Sequence, residues 1–177
     1  MNVTPTPLPG VLIIEPAVFG DSRGLFMETF SAQRYRDEAG IALPFVQDNY
    51  SRSGKGVLRG LHFQKEHPQG KLISVLRGAV LDVAVDINPA SATFGRHVAV
   101  ELTEENHRQV WIPPGYAHGF CVISDSADFV YKCTDYYRPD DEAGLAWNCP
   151  ILNIKWPTSC PVLSEKDKRY PGLDGLG

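Results

Sequence analysis

The sequence lacks an excess of positive charge, and this excludes one large class of partners. It contains 17 lysine and arginine residues against 21 aspartate and glutamate residues, which gives a formal net charge of −4. Proteins that bind DNA or RNA in a general way instead carry a basic surface. We therefore predict no nucleic-acid partner, although a local cluster of basic side chains on an acidic protein can still bind a phosphate group.

The sequence also lacks the segments and cysteine pairs that are typical of exported and membrane proteins. Residues 1–16 have no basic region before a short apolar run, so we expect neither a signal peptide nor a membrane span. The four cysteines, Cys121, Cys133, Cys149 and Cys160, form no CxxC pair. We expect free thiols and a cytoplasmic protein.

The length and composition favour one globular domain over residues 1–177. Hydrophobic residues make up 43% of the chain and charged residues 21%, close to the globular average. A chain of 177 residues is long enough to bury a core without disulfides or a structural metal. No sequence period that would indicate a solenoid or a propeller recurs.

Hydrophobic alternation predicts an all-β fold. The clearest strand is 79–88, where apolar residues occupy alternate positions from Leu81 to Ile87. Further strands are predicted at 11–15, 24–30, 71–77, 96–103, 109–112, 119–124 and 128–134. With almost no helix between them, these strands favour an antiparallel sandwich or barrel.

Helical signals are few. One helix is predicted over 32–39, with Ser31 as its N-cap and Gly40 at its end. A single helical turn is predicted near 164–168, and the proline-rich residues 1–9 are interpreted as a tail or an edge segment.

Four segments carry residue types that are suited to chemistry: 59–64 (RGLHFQ), 69–71 (QGK), 113–120 (PPGYAHGF) and 129–137 (FVYKCTDYY). Each has an ordinary structural interpretation: His62 as a satisfied structural residue, Lys71 as solvated, Tyr131 as a core residue and Arg59 as a surface ion pair. Strict alternation would place Arg59 and His62 on opposite faces of a strand, whereas a bulge at Gly60 would bring both to one cavity. The functional interpretation therefore requires that these segments converge on one barrel mouth.

The segment PPGYAHGF resembles the second half-motif of cupin barrels, in which the histidine is often a metal ligand. The first half-motif needs an HxH pair, and here His62-Phe63-Gln64 breaks that pair. A catalytic zinc or iron site needs three protein ligands, and only His62 and His118 qualify. The sequence therefore predicts a cupin-like barrel without a metal.

Seven segments in order resemble the dTDP-4-dehydrorhamnose 3,5-epimerase family of dTDP-L-rhamnose biosynthesis. They are RGLHFQ, QGK, RGAVLDVAVDIN, SATFGRHVAVEL, WIPPGYAHGF, YKCTDYY and LSEKD, and the match runs from about Gly10 to Pro171. The resemblance implies a cupin-type double-stranded β-helix (a jelly-roll barrel) and no cofactor. It also implies a homodimer that exchanges N-terminal strands, and a dTDP-linked 4-keto-6-deoxyhexose as substrate.

Carried over residue by residue, the resemblance implies that His62 is the general base and that Asp167 orients its imidazole. It implies that Tyr131 donates a proton on the opposite face of the sugar ring and that Lys71 lies near the 4-keto oxygen. The positions implied to bind the nucleotide or the sugar are Arg23, Phe26, Glu28, Gln47, Asn49, Arg59, His118, Tyr137, Glu142 and Lys166.

These residue types suit the reaction. Removing a proton next to a carbonyl group leaves an enolate whose charge develops on O4, and Lys71, with Arg59, would stabilise that charge. A histidine is a suitable base near neutral pH, because a carboxylate fixes its tautomer. Tyr131 is a suitable acid, provided that its environment lowers its pKa or that a water relays the proton.

Three alternatives remain open from the sequence. The first is a monoepimerase that inverts only C3 or C5 of a related dTDP-4-keto-6-deoxy sugar. The second is a sugar-nucleotide-binding barrel without catalysis, which would not need His62, Tyr131 and Asp167. The third is a metal-dependent cupin enzyme.

Overall fold

The computed structural model describes residues 1–176, which form two large antiparallel sheets, one small hairpin and one short α-helix. The strands are β1 (Asn2–Pro5), β2 (Leu12–Glu15), β3 (Val18–Asp21), β4 (Gly24–Met27), β5 (Gln47–Gly54), β6 (Leu58–Gln64), β7 (Lys71–Arg77), β8 (Ala79–Asp86), β9 (His97–Thr103), β10 (Gln109–Ile112), β11 (Tyr116–Val122), β12 (Ser126–Cys133) and β13 (Glu142–Gly144). The helix α1 is Ala32–Ala39, and 3₁₀ turns lie at Pro139–Asp141 and Leu173–Gly175.

The two large sheets pack face to face. One has the order β1-β2-β10-β7-β12-β5 and the other β13-β6-β11-β8-β9. A buried cluster joins them, with Ile73 and Phe129 from the first sheet against Leu102 and Phe120 from the second. The result is an all-β jelly roll of the cupin type, which confirms the predicted fold class.

The predicted helix is confirmed. It spans Ala32–Ala39, the Ser31 side chain accepts a hydrogen bond from the Arg34 backbone N–H, and Gly40 ends the helix at φ +69°. Glycine fits there because it adopts the left-handed conformation without steric cost. The helix is eight residues long, and in residues 1–176 we find no helix with the length and apolar character to cross a bilayer.

Two predicted strands end earlier than expected because side chains take over the hydrogen bonding. The strand predicted over 24–30 stops at Met27, and the Thr29 carbonyl instead accepts hydrogen bonds from Tyr35 and Gln109. The strand predicted over 79–88 stops at Asp86, whose carboxylate accepts the Asn88 N–H.

The most informative omission from the predictions is β5, which pairs with β12 along its whole length. Its alternate, less exposed positions are Gln47, Asn49, Ser51 and Ser53, all of them polar. Hydrophobic alternation cannot detect such a strand, because the face turned inward lines a polar cavity.

The chain ends also differ in detail from the predictions. Residues 2–5 form an edge strand paired with β2 of the same chain, which confirms the edge interpretation for part of residues 1–9. At 164–168 the chain makes one turn, closed by the Lys168 N–H to the Ser164 carbonyl, and it does not continue as a helix.

Candidate active site

A cavity of about 300 Å³ lies between the two sheets. One wall comes from β5, β7 and β12, and the other from β6 and β11. Its lining residues are Asn49, Tyr50, Ser51, Arg59, His62, Lys71, His118, Phe120, Phe129 and Tyr131. Three of the four predicted catalytic side chains therefore converge here, as the functional interpretation requires.

The fourth predicted catalytic residue, Asp167, lies directly behind His62. His62 Nε2 is 2.5 Å from Asp167 Oδ1, and Ser164 Oγ donates to Asp167 Oδ2 at 2.7 Å. Desolvation of the buried carboxyl group would raise its pKa, but the hydrogen bonds from His62 and Ser164 outweigh this effect and lower the pKa of Asp167. The carboxylate is thus held ionised and fixed on the imidazole.

A strand irregularity explains why Arg59 and His62 reach the same cavity. On β11, His118 is the partner of His62 and Phe120 is the partner of Arg59, so the register shifts between them. Gly60 lies inside the shift at φ +117°, and a Cβ there would lie 2.6 Å from the Gly119 Cα. The bulge predicted at Gly60 is confirmed, and only glycine permits it.

Lys71 begins β7 and is mostly enclosed, so the solvated interpretation is wrong. Within residues 1–176 its ammonium group makes neither a salt bridge nor a hydrogen bond. Desolvation lowers the pKa of Lys71, while the neighbouring acidic groups Cys133, Asp82 and Glu142 act in the opposite direction. The three N–H donors of this ammonium are available to a ligand in the cavity.

Tyr131 lies on β12, opposite the wall that carries His62. Its hydroxyl has no hydrogen-bond partner in the described chain, so it is not the satisfied core tyrosine of the structural interpretation. Burial raises the pKa of Tyr131 to about 12, although the Arg59 charge acts against this. Of the two conditions given for Tyr131 as an acid, a lowered pKa is therefore not met, because desolvation disfavours the phenolate.

His118 is buried next to His62 and hydrogen-bonds to a residue that the sequence analysis did not assign to the site. Its Nε2 lies 2.8 Å from Asp82 Oδ2, and both side chains are almost fully enclosed. Desolvation lowers the pKa of His118 despite the neighbouring carboxylate. His118 is therefore neutral near pH 7.

Several of the predicted binding residues form a hydrogen-bonded rim. Glu142 accepts hydrogen bonds from the Tyr137 hydroxyl at 2.8 Å and the Tyr170 hydroxyl at 2.7 Å, and it pairs with Lys166. Gln47 accepts the Tyr137 backbone N–H at 2.9 Å and donates to Asn49 at 3.0 Å. These contacts connect the cavity wall to its outer edge.

The structure places three predicted binding residues elsewhere. Arg23 and Phe26 lie on the β3–β4 hairpin, and Glu28 follows it. Arg23 pairs with Asp21, Phe26 is 70% exposed and Glu28 pairs with Arg34 on the helix. Within one chain none of the three lines the cavity, because the hairpin forms a separate two-stranded sheet that does not pack between the two large ones.

Four supporting residues were missed by sequence reasoning: Asp82, Ser164, Tyr170 and Ser53. The Ser164-x-x-Asp167 spacing is that of a capping turn and was visible in the sequence. Ser53, which accepts a hydrogen bond from Arg59 Nε at 3.1 Å, had no such signal because β5 itself was not predicted.

The described residues do not form a cluster of metal ligands. Over residues 1–176, no three His, Cys, Asp or Glu side chains lie close enough together to hold a metal ion. The Nε2 atoms of His62 and His118 are hydrogen-bonded to Asp167 and Asp82, which leaves each imidazole one other ring nitrogen.

A jelly roll that brings a His–Asp pair, a lysine ammonium and a tyrosine hydroxyl to one cavity is the site of a cupin-type epimerase. These residue types are suited to serve as a base, as a cation for a developing oxyanion and as an acid on the facing wall.

Comparisons with known proteins specify the class further. Residues 5–175 match the family model described as dTDP-4-dehydrorhamnose 3,5-epimerase. The chain is 52% identical to the enzyme of that name from Escherichia coli K12, over 99% of this chain and 96% of that one. It is also similar to a Legionella pneumophila dTDP-6-deoxy-D-glucose-3,5-epimerase solved in complex with dTDP-4-keto-L-rhamnose, with a TM-score of 0.97 and 52% identity over 99% of this chain and 94% of that chain.

A more distant solved structure is a 3'-monoepimerase from Streptomyces bikiniensis in complex with dTDP-quinovose. It shares 34% identity and a TM-score of 0.91 over 96% of this chain and 87% of that chain. The chain described here belongs to the dTDP-4-dehydrorhamnose 3,5-epimerase family and is an isomerase.

Proposed function

We propose that this chain converts dTDP-4-keto-6-deoxy-D-glucose to dTDP-4-keto-L-rhamnose by inverting C3 and C5. One observation carries the proposal: His62, backed by Asp167, and Tyr131 lie on facing walls of a single cavity that also holds the Lys71 ammonium. Inversion needs proton removal on one face of the sugar ring and proton delivery on the other. Two facing walls provide both.

His62 acts as the base. Asp167 accepts a hydrogen bond from the Nε2–H of His62, which leaves Nδ1 free to take the proton next to the keto group. The same carboxylate stabilises the imidazolium that forms. A positioned base of this kind contributes about 10²–10⁴-fold to the rate.

Lys71 stabilises the enolate. Its ammonium has no protein partner to compete with O4, and its enclosed position strengthens the interaction with a negative oxygen. One preorganised donor contributes about 3–4 kcal/mol to transition-state stabilisation. Proton transfer supported in this way requires no cofactor.

Tyr131 delivers the proton on the opposite face. A phenol with its pKa raised to about 12 is fully protonated at neutral pH and so carries the proton that the carbanion needs. The new C–H bond forms at C3 or C5 on the face opposite His62, and the electron pair of the enolate returns to that carbon as the C4 carbonyl is restored. Replacing Tyr131 by Phe should permit solvent exchange at C3 or C5 while product formation falls, and unchanged product formation would exclude Tyr131 as the acid.

The size of the cavity indicates which part of the substrate it can hold. A volume of about 300 Å³ is at the lower end for ligand pockets, which suits the hexose and leaves the nucleotide for the rim. Arg59 in the wall and Lys166 at the rim can bind the diphosphate. Tyr137 at the rim offers an aromatic face to the base.

The activity is tested by supplying dTDP-4-keto-6-deoxyglucose in D₂O with a downstream reductase. We expect the L-rhamnose nucleotide, with deuterium at both C3 and C5. Deuterium at one carbon only would support the monoepimerase, a candidate that the shared fold of the Streptomyces bikiniensis 3'-monoepimerase keeps open. Binding of the sugar nucleotide without exchange at either carbon would support the non-catalytic barrel.

A second copy of the chain would complete the nucleotide site. Four apolar side chains on the short hairpin are exposed, namely Val18, Phe19, Leu25 and Phe26. An exposed apolar patch of this kind is typical of a protein interface. The hairpin is a better candidate for the exchanged segment than β1, because β1 pairs with β2 of its own chain.

Subunit complementation tests this arrangement. In a mixed dimer of a His62→Asn chain and an Arg23→Ala chain, one cavity would combine an intact His62 with an intact Arg23 from the other copy. At substrate concentrations below the KM of the Arg23→Ala variant, we expect both variants to be impaired alone and the co-expressed mixture to recover activity. A mixture that is no more active than the two separate variants would show that the hairpin serves its own chain.

We further propose a cytoplasmic location, since all four cysteines are free thiols in the structure and Cys160 is exposed. Thiols persist in a reducing compartment. Fractionation of the native cells, with thiol labelling of Cys160, tests the proposal.

A further inference from the structure

Asp82 lies in the middle of β8 and is 1% exposed. Its Oδ1 is the one fully buried side-chain oxygen or nitrogen in residues 1–176 that has no hydrogen-bond partner. A buried carboxylate with a free oxygen is costly, and such groups are rare in native proteins. A role at the neighbouring site would explain why the chain keeps this one.

The other oxygen of Asp82 fixes His118. A carboxylate only accepts hydrogen bonds, so the 2.8 Å contact from Oδ2 places the imidazole proton of neutral His118 on Nε2. The ring lines the cavity, and within the described chain its Nδ1 makes no hydrogen bond. Nδ1 is then an acceptor, which can bind a sugar hydroxyl group but cannot bind the 4-keto oxygen.

The charge of Asp82 acts on Lys71. The ionisable groups that face Lys71 are Cys133 and Tyr131 from β12, Glu142 from β13, Asp82 from β8, His118 from β11, and Arg59 and His62 from β6. Burial raises the pKa of both the Cys133 thiol and Tyr131, so neither is charged near neutral pH. Glu142 is already paired with Lys166. Asp82 is the carboxylate that remains to balance the ammonium.

We propose that Asp82 is a positioning residue of the epimerisation site, which holds His118 as an acceptor for a sugar hydroxyl and supplies the buried counter-charge of the Lys71 ammonium. The proposal rests on the proposed function for its catalytic consequence. It also assigns the two neighbours different partners on the sugar: Lys71 binds O4, and His118 binds a hydroxyl group. Asp82 itself contacts neither of these two sugar oxygens.

The Asp82→Asn variant separates the effect of the Asp82 charge from its hydrogen bond to His118. The amide oxygen of asparagine can still accept the His118 Nε2–H, so the ring and its tautomer are kept while the negative charge is lost. An opposite charge nearby shifts a pKa by about one unit or more. We therefore expect the upper limb of the kcat–pH profile to move down by about one pH unit, which is about a tenfold loss of kcat at any pH above the limb.

Asp86→Asn is the matched control. Asp86 is also 1% exposed and also on β8, but its carboxylate binds Ser91 and Thr93 at 2.5 Å and not the site. Both substitutions remove one buried negative charge from the same strand. We expect Asp86→Asn to lower the Tm without moving the pH profile.

A measurement without substrate separates this proposal from the proposed function. The titration of Lys71 can be followed by NMR in protein labelled with [ε-¹³C]lysine, with Lys71→Arg to assign the signal, and the tautomer of His118 can be read from its ring ¹⁵N shifts. We expect a lower titration midpoint for Lys71 in Asp82→Asn than in the parent, and His118 protonated on Nε2 in both. This result would stand even if the chain did not epimerise the proposed sugar.

The outcomes that overturn the proposal are specific. An unchanged Lys71 midpoint in Asp82→Asn, an equal shift in Asp86→Asn, or a His118 proton on Nδ1 in the parent each shows that Asp82 has only a structural role. If Asp82→Asn does not fold, the proposal is tested by the tautomer of His118, measured in the parent and in Asp82→Leu. Loss of the Nε2 tautomer in Asp82→Leu would then support the proposal, and its retention would contradict it.

Discussion

The predicted site residues lie in two regions of the molecule, the cavity between the two large sheets and the β3–β4 hairpin. These regions differ in strand pairing and in side-chain exposure. Most cavity side chains, His62 among them, project from strands paired on both sides, and His62 is fixed by Asp167 at 2.5 Å. The hairpin is a two-stranded sheet in which Phe26 is 70% exposed and Arg23 contacts only its neighbour Asp21. The chain therefore builds the cavity by its own packing, whereas the hairpin side chains lie outside that cavity and are exposed.

The largest expected effect is at the base. His62→Asn should lower kcat by about 10³-fold, within the range for loss of a general base. The other imidazole of the cavity, His118, is assigned to a sugar hydroxyl group and would not replace His62. Turnover is measured in the coupled reductase assay. Binding of dTDP by calorimetry is the control and should be retained, and a turnover equal to that of the parent would contradict the assignment of His62.

Lys71→Met should lower kcat by about 10²–10³-fold, the effect of losing one oxyanion donor. Methionine keeps the apolar stem but leaves the buried Asp82 carboxylate without its counter-charge, so the Tm should also fall. Steady-state kinetics check the prediction. A higher KM with an unchanged kcat would mean that Lys71 binds substrate and transition state equally well.

The hairpin substitutions should have a smaller effect of a different kind. Arg23→Ala removes a charge-assisted contact worth about 1.5–3 kcal/mol, so KM should rise roughly tenfold or more while kcat at saturation is kept. Arg23 is exposed in the single chain, so the Tm should change little. A loss in kcat as large as that of His62→Asn would remove the distinction between the two regions.

The smallest effect concerns stability in acid and compares one carboxylate from each region. The pKa of Asp167 is lowered from its ordinary value of 3.8, so its contribution to stability is complete above that pH and is lost as the pH falls through the lower, folded-state value. Asp167→Asn should therefore show a shallower fall of Tm below about 3.8 than the parent.

Asp21→Asn on the hairpin is the control for that measurement. Its pKa is also lowered by Arg23, but the pair is exposed and solvent screens it. We expect the Tm of Asp21→Asn to fall with decreasing pH in parallel with that of the parent. Equal changes in both variants would show that burial does not distinguish the two carboxylates.

Much of this was accessible from the sequence because the signals were local. Ser31 and Gly40 mark the ends of the helix within one turn, and the apolar positions of β7, β8 and β10 identify strands by their own period. The bulge at Gly60 was inferred from a four-residue segment. The family motifs placed His62, Lys71 and Tyr131 on the list of site residues without any knowledge of their geometry.

The remaining features depend on contacts between distant segments. Asp167 is 105 residues from His62, Asp82 is 36 residues from His118, and neither pair is linked by a local pattern. The polar strand β5 is recognisable only from the ladder it forms with β12. The raised pKa of Tyr131 arises from burial, which no sequence pattern reports.

The sequence by itself therefore determined the fold class, the strand and helix segments with strong periodicity, and the chemical types available for a proton-transfer site. The tertiary structure alone decided which of those side chains share a cavity, that Asp82 stands behind His118, and that Arg23, Phe26 and Glu28 lie outside the cavity. The reason is physical: propensity and periodicity act over a few neighbouring residues, whereas burial, hydrogen-bond partners and desolvation are set by side chains that only the packing of the two sheets brings together.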